Sequence, residues 1–171
     1  MELTTQHFIA LLPLLLASRG RIVCIGSQGG SITMPFMGPY TMSKHALEAY
    51  AACLRMELAP FAIEVMEVQP GAIASSFGSN ASAQAEQLLD EASPWWPIRD
   101  GIRARANASQ DHPTPASEFA RDLLAAVQKR RRPHLLRLGN GSRALPLLAA
   151  LVPKAWLQAG LKKRFGLNRS L

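Results

Sequence analysis

Between Tyr40 and Ala59 the chain contains no glycine or proline, and Leu47, Ala51, Leu54 and Leu58 recur at intervals of three and four. That spacing predicts a long helix with one face in a core. Upstream, Arg21 to Gly26 (RIVCIG) is a short β-branched run that reads as a buried strand. Downstream, Ile63 to Val68 (IEVMEV) alternates and reads as the next strand, delivering Pro70 and Gly71 to the same sheet edge as Ser27. Strand, helix and strand in that order predict an α/β fold with a doubly wound parallel sheet.

In such a sheet, ligands bind outside the carboxyl ends of the strands. Ser27 falls at that end of the first strand, Tyr40 follows thirteen residues later, and Lys44 stands four residues beyond it. Four apart on a helix, Tyr40 and Lys44 lie one above the other. A tyrosine hydroxyl, with a reference pKa near 10, is a poor acid or base at neutral pH, but a lysine ammonium held close favours the phenolate. A tyrosine so placed can exchange a proton. A serine at the strand end can donate a hydrogen bond to a carbonyl oxygen on which charge develops. Ser27, Tyr40 and Lys44 therefore read as the catalytic set of a carbonyl/alcohol redox site, for which no metal is required. A serine hydrolase is excluded, because G-x-S-x-G would need glycine at position 25, where Ile25 stands.

A serine, about thirteen residues and then Tyr-x-x-x-Lys is the pattern of the short-chain dehydrogenase/reductase family, and Ser27, Tyr40 and Lys44 resemble it in register. Val68-Gln69-Pro70-Gly71-Ala72-Ile73 is similar to the Pro-Gly turn that follows the next strand in that family. The resemblance implies a Rossmann-like fold, NAD(P) as cofactor and a small alcohol or carbonyl compound as substrate. It makes Tyr40 the general acid/base, Ser27 the group that polarises the carbonyl, and Lys44 both an aid to Tyr40 and a ligand of the nicotinamide ribose. Tyr40, Lys44, Pro70, Gly71, Ile73 and Ser75 would contact the cofactor, Ile73 at the carboxamide and Ser75 where the family usually carries threonine. Ser27 and Gly29 would face the substrate.

A full family member opens with a strand and a Thr-Gly-x-x-x-Gly-x-Gly turn, and these 171 residues contain neither. Gly26-Ser27-Gln28-Gly29-Gly30 lacks the G-x-G-x-x-G spacing of a pyrophosphate cradle. The resemblance thus covers the carboxyl-terminal half of the domain, residues 1–143. The sheet is expected to be incomplete, with the N-terminal nucleotide-binding half absent and activity impaired. The run Gly20 to Ser27, the Ala-Leu-Glu-Ala after Lys44 and the apolar tail look most like the hydroxysteroid and retinol dehydrogenase branch, which implies a lipophilic substrate. The alternative reading is a catalytically inactive fragment acting as an interaction or membrane-surface module.

Residues 1–128 carry a net charge of −4 and residues 129–171 a net charge of +11, so the overall +7 belongs to the tail. Cys24 and Cys53 sit in apolar settings without metal-ligand spacing and read as core residues of a reduced, cytoplasmic compartment. Leu3, His7 or Phe8, Leu11, Leu12 and Leu15 predict a first helix over residues 1–18. Its apolar run is broken by Pro13 and too short to span a bilayer.

Residues 75–113 are the least ordered by pattern, with a helix expected at 83–92, and resemble the family's variable substrate lid. There Trp95 and Trp96 either press on a lipophilic substrate or pack the loop onto the core. Thr114 is expected to cap, and Pro115 to open, a helix ending in Lys129-Arg130-Arg131-Arg132, and His134 to Leu138 reads as the last strand.

Residues 144–171 form a basic, apolar extension interrupted by Pro146 and Pro153. It suits either a membrane surface or a terminal helix over the substrate mouth. In family dimers the catalytic helix pairs with its mate, so the resemblance also raises a homodimer through Tyr40–Ala59. Nucleic acid is not an expected partner, because the basic tail lacks interleaved aromatics and any binding module.

Overall fold

The computed structural model describes residues 2–129 and 133–168. Arg130, Arg131 and Arg132, read above as the basic end of a helix, lie outside the described residues, as do residues 169–171 of the extension.

Three parallel strands, β1 (Arg21–Ile25), β2 (Glu64–Pro70) and β3 (Leu135–Leu138), lie in the order β1-β2-β3. Val23 pairs with Met66, and Val68 with Leu136. Parallel neighbours need crossover connections. α2 (Gly38–Leu58) supplies the first, and α3 (Ser76–Leu88), α4 (Arg99–Asn107) and α5 (Ala116–Gln128) lie along the second. All three strands consequently end at one edge, where Gly26 N–H donates to Val68 O and Gly71 N–H donates to Leu138 O, both at 2.8 Å.

The core lies between α2 and β2. Ala51, Leu54 and Leu58 meet Ile63 and Val65, while Phe8, Leu12 and Leu15 of α1 (Glu2–Ser18) pack against them. Phe8 meets Tyr50 edge to face at 6.3 Å. Pro39 sits in the first turn of α2, where a missing N–H costs nothing. The helix ends in a 3₁₀ turn over Ala59–Phe61, closed by Ala62 in the left-handed region (φ 56°).

Several expectations need correction. β1 is only half-buried, with Ile25 44% exposed, because it is paired on one side alone. The alternation expected of β2 is absent: Val65 to Gln69 are all buried, as befits a central strand covered on both faces. Residues 75–113 are more ordered than their composition suggests, forming α3 and α4 with short 3₁₀ turns at Trp96–Ile98 and Ala108–Gln110. Thr114 does not cap α5. It bridges to Ile73, and its Oγ1 accepts from Asn140 N–H at 2.9 Å. Cys53 is exposed, being two residues beyond buried Ala51 and so off the core stripe.

The extension forms α6 (Ala144–Leu151) and α7 (Lys154–Arg164). Pro146 and Phe165 are buried, whereas Leu147, Leu148, Leu151 and Trp156 are exposed. A Cβ on Gly101 would overlap the Phe165 carbonyl, so α4 and the end of α7 touch backbone to backbone. Among the described residues no helix is long and apolar enough to cross a membrane.

Candidate active site

Ser27 leaves the sheet edge with an extended backbone, and the chain turns at once into the 3₁₀ turn Gln28–Gly30. Its Oγ accepts from Gly29 N–H at 3.0 Å, which leaves its own O–H free to donate. Tyr40 enters from the first turn of α2. A Cβ built on Gly29 would stand 3.1 Å from Tyr40 Cε1 and 3.5 Å from Ser27 Oγ. The tyrosine ring and the serine hydroxyl therefore both border the bare backbone at Gly29. Phe77 of α3 closes the ring from another side, 5.4 Å away and tilted by 44°.

Lys44, one turn further along α2, donates from Nζ to Ile25 O at 3.2 Å, and Nζ lies 5.8 Å from the centre of the Tyr40 ring. Burial lowers its ammonium below the ordinary lysine pKa. The strand end and the helix thus fix the cation beside the tyrosine.

A polar network holds this arrangement from beneath. Buried Gln69 donates from Nε2 to Ser31 Oγ and to Glu67 Oε1, both at 2.9 Å, and accepts from Arg137 Nε at 3.1 Å. Ser31 Oγ in turn donates to Glu48 Oε2 of α2 at 3.4 Å. Burial, followed by the nearby Glu67, raises the Glu48 carboxyl above its ordinary range. β2, β3, α2 and the loop after Ser27 are tied together by these contacts.

Ser27, Gly29, Tyr40, Pro70, Gly71, Ile73, Ser75 and Trp95 line one cavity of about 990 Å³. Lys44 stands outside its lining, behind Tyr40. Trp96 is also outside it: the Arg99 guanidinium lies 4.7 Å over its ring. A second cleft of about 560 Å³ runs between β3 and α6 and contains none of the catalytic candidates.

The turn after β2 is built from backbone bonds. Ala72 N–H donates to Asn140 O, Thr114 N–H to Ala72 O, and Ala74 N–H to Thr114 O. None of these bonds uses the Ile73 N–H, and Ser75 Oγ donates to Ile73 O at 3.4 Å. Among the described residues the Ile73 N–H thus has no partner, and Ile73 lines the same cavity as Ser75 and Tyr40, with donors suited to the carboxamide and ribose of a nicotinamide.

Sequence reasoning missed Arg105, Phe36, Phe77, Phe119 and Leu145, which complete the cavity wall. Arg105 sits in a charged run within the segment that is least ordered by pattern. The only signal was the spacing of Ile102, Arg105 and Ala106, which places all three on one helical face.

Comparison with known proteins agrees with this fold. The family model described as short chain dehydrogenase matches residues 3–86. The chain is 35% identical over 159 residues to dehydrogenase/reductase SDR family member 7B of Xenopus laevis, covering 91% of this chain and 45% of that protein. It is 26% identical over 156 residues to the NADPH-dependent 1-acyldihydroxyacetone phosphate reductase of Saccharomyces cerevisiae, covering 91% and 51%. Among solved structures, a short chain dehydrogenase from Burkholderia cenocepacia in complex with NADP superimposes with a TM-score of 0.65 at 23% identity, over 92% of this chain and 54% of that one. A short-chain dehydrogenase from Streptomyces avermitilis gives the same score at 24% identity, over 94% and 56%. The chain belongs to the short-chain dehydrogenase/reductase family. It spans about half the length of the curated relatives it matches.

Proposed function

We propose that this chain carries the catalytic and substrate-binding part of an NAD(P)-dependent oxidoreductase that interconverts an alcohol and a ketone or aldehyde on a lipophilic substrate. The observation that carries the reading is the placement of Ser27 and Tyr40 side by side over Gly29, at the wall of a largely apolar cavity, with the Lys44 cation behind the ring.

In the direction of carbonyl reduction, Ser27 Oγ donates a hydrogen bond to the substrate oxygen and stabilises its growing negative charge. Tyr40 Oη gives that oxygen a proton, and the Lys44 ammonium stabilises the charge left on Tyr40. A nicotinamide bound at this site would supply the hydride, or accept it in the reverse direction. Ile73, Ser75, Pro70 and Gly71 would hold the nicotinamide, with Tyr40 and Lys44 at its ribose. Trp95, Phe36 and Phe77 exclude water from the reacting carbon.

NADP bound to the Burkholderia neighbour and the NADPH dependence in the yeast relative's name support the cofactor assignment. The experiment is titration of the purified chain with NADPH and NADH, followed by tryptophan quenching and energy transfer, beside NADPH oxidation with medium-chain aldehydes and ketones. Saturable binding together with turnover that Tyr40→Phe lowers by about 10²–10⁴ supports the reading. Absence of saturable binding, or turnover indifferent to that change, rejects it.

Two surfaces extend this reading. The outer face of α2 exposes Met42, Cys53 and Met56 and suits pairing with a second copy. Leu147, Leu151 and Trp156, flanked by Lys154, Lys162 and Lys163, suit a membrane surface. Sedimentation equilibrium tests the first, and co-sedimentation with anionic vesicles tests the second.

A further inference from the structure

The wall of the active-site cavity is lined by Ile32, Met34, Phe36, Phe77, Trp95 and Phe119 among other apolar side chains, and no aspartate or glutamate of the described residues reaches it. Arg105 of α4 is the one ionised side chain in that lining. Its Nε is buried and has no hydrogen-bond partner among the described residues, and one of its terminal nitrogens contacts only the Met37 sulfur. A cation taken out of water is costly unless it is paired, and proteins almost always pair it.

Acids are available nearby but are spent elsewhere. On the same helix, Arg103 takes both oxygens of Glu86, at 2.7 and 2.8 Å, and also faces Asp100 at 3.8 Å. Arg105 instead faces Tyr40 and a second cation, Arg164 of α7. Burial lowers its pKa, Tyr40 opposes that shift and Arg164 adds to it. No carboxylate enters the balance. A guanidinium is a rigid fork that matches a carboxylate or phosphate with two parallel hydrogen bonds. Gln28 also lines the cavity, and its buried Oε1 has no hydrogen-bond partner among the described residues.

We propose that this cavity takes an amphiphile, in which an apolar body fills the space between the aromatic side chains and an acidic head, carboxylate or phosphate, pairs with Arg105. Arg105 is thereby a specificity-determining residue, and the cavity of about 990 Å³ is large enough for an acyl or polycyclic body beside the reacting carbonyl. The inference rests on the oxidoreductase reading of the same site, because it names that site's substrate class.

Calorimetric titration of the full chain with octanoate, octyl phosphate and octan-1-ol, all below micelle formation, tests it without turnover. The native chain binds at least one of the two acids about tenfold more tightly than the alcohol, and the tighter acid identifies the head group. Arg105→Met abolishes that preference and leaves octanol binding unchanged, whereas Arg105→Lys keeps part of it, since it retains the charge but not the fork. A thermal melt of each variant checks its fold. If Arg105→Met does not fold, Arg105→Lys decides: it must bind the preferred acid less tightly than the native chain, with octanol unchanged.

Equal affinity for acid and alcohol, or a preference that survives Arg105→Met, overturns the proposal. So does a loss of NADPH affinity in Arg105→Met as large as the loss for the acid, because Arg105 would then serve cofactor phosphate. Acid preference without any NADPH binding would retain the anion site and sink the oxidoreductase reading instead.

Discussion

Gly29 lies against the ring of Tyr40, so close that a Cβ would stand 3.1 Å from Cε1. The absence of a side chain there leaves room for the tyrosine ring beside Ser27. Gly29→Val should push the ring away and lower kcat about a hundredfold, the typical effect of misplacing a reacting group by about 1 Å. Steady-state kinetics beside a thermal melt checks this, and a variant with native kcat would show that ring placement does not depend on Gly29.

Gly71 is held between β2 and the turn after β3, and a Cβ there would overlap the backbone carbonyl of Asn140. Backbone cannot give way as the end of a flexible side chain can. Gly71→Ala should therefore destabilise the fold by about 1–3 kcal/mol, a loss of roughly 2–4 °C in Tm for each kcal/mol in a chain of this size. Differential scanning calorimetry measures it.

Glu48 has a folded-state pKa raised above the ordinary 4.5, first by burial and then by Glu67. A raised carboxyl binds its proton more tightly in the folded than in the unfolded chain, so stability falls as pH rises from the ordinary carboxylate value through the raised one. Glu48→Gln removes that cost and can keep the contact from Ser31. Its Tm should match the native chain near pH 4 and exceed it at pH 7. A gap that is constant with pH would refute the assignment.

Gly101 of α4 meets the Phe165 carbonyl at the end of α7, again with no room for a Cβ. Gly101→Ala should detach the end of α7 and with it buried Phe165. Limited proteolysis should then cut near Lys162, Lys163 and Arg164 about tenfold faster than in the native chain, the factor that about 1.4 kcal/mol of easier local opening gives.

The polar network under the site can be probed at its centre. Gln69 is fully buried and touches Ser31, Glu67 and Arg137. Gln69→Leu leaves those partners unsatisfied and should cost about 1–3 kcal/mol. Chemical denaturation with both variant and native chain reads the difference directly.

Much of this protein was legible in its residues because the signals are local. An unbroken run with apolar residues every three or four positions makes α2 whatever surrounds it. The spacing of Ser27, Tyr40 and Lys44 needs only that helix and the strand before it to bring the three side chains to one place. What tertiary structure decided was burial and pairing. Ile63 to Val68 reads as an alternating strand, yet β2 is central, and its Glu67 and Gln69 are enclosed by groups from α2, β3 and the loop after Ser27. Trp95 and Trp96 are neighbours in sequence, but the turn between α3 and α4 sends one to the cavity and the other beneath Arg99. Arg105 stands in a charged run, and only the packing of α4 against the site makes it a half-buried charge with no acid against it among the described residues. Periodicity records which face a residue occupies, whereas the surface that covers that face depends on segments far away in the chain.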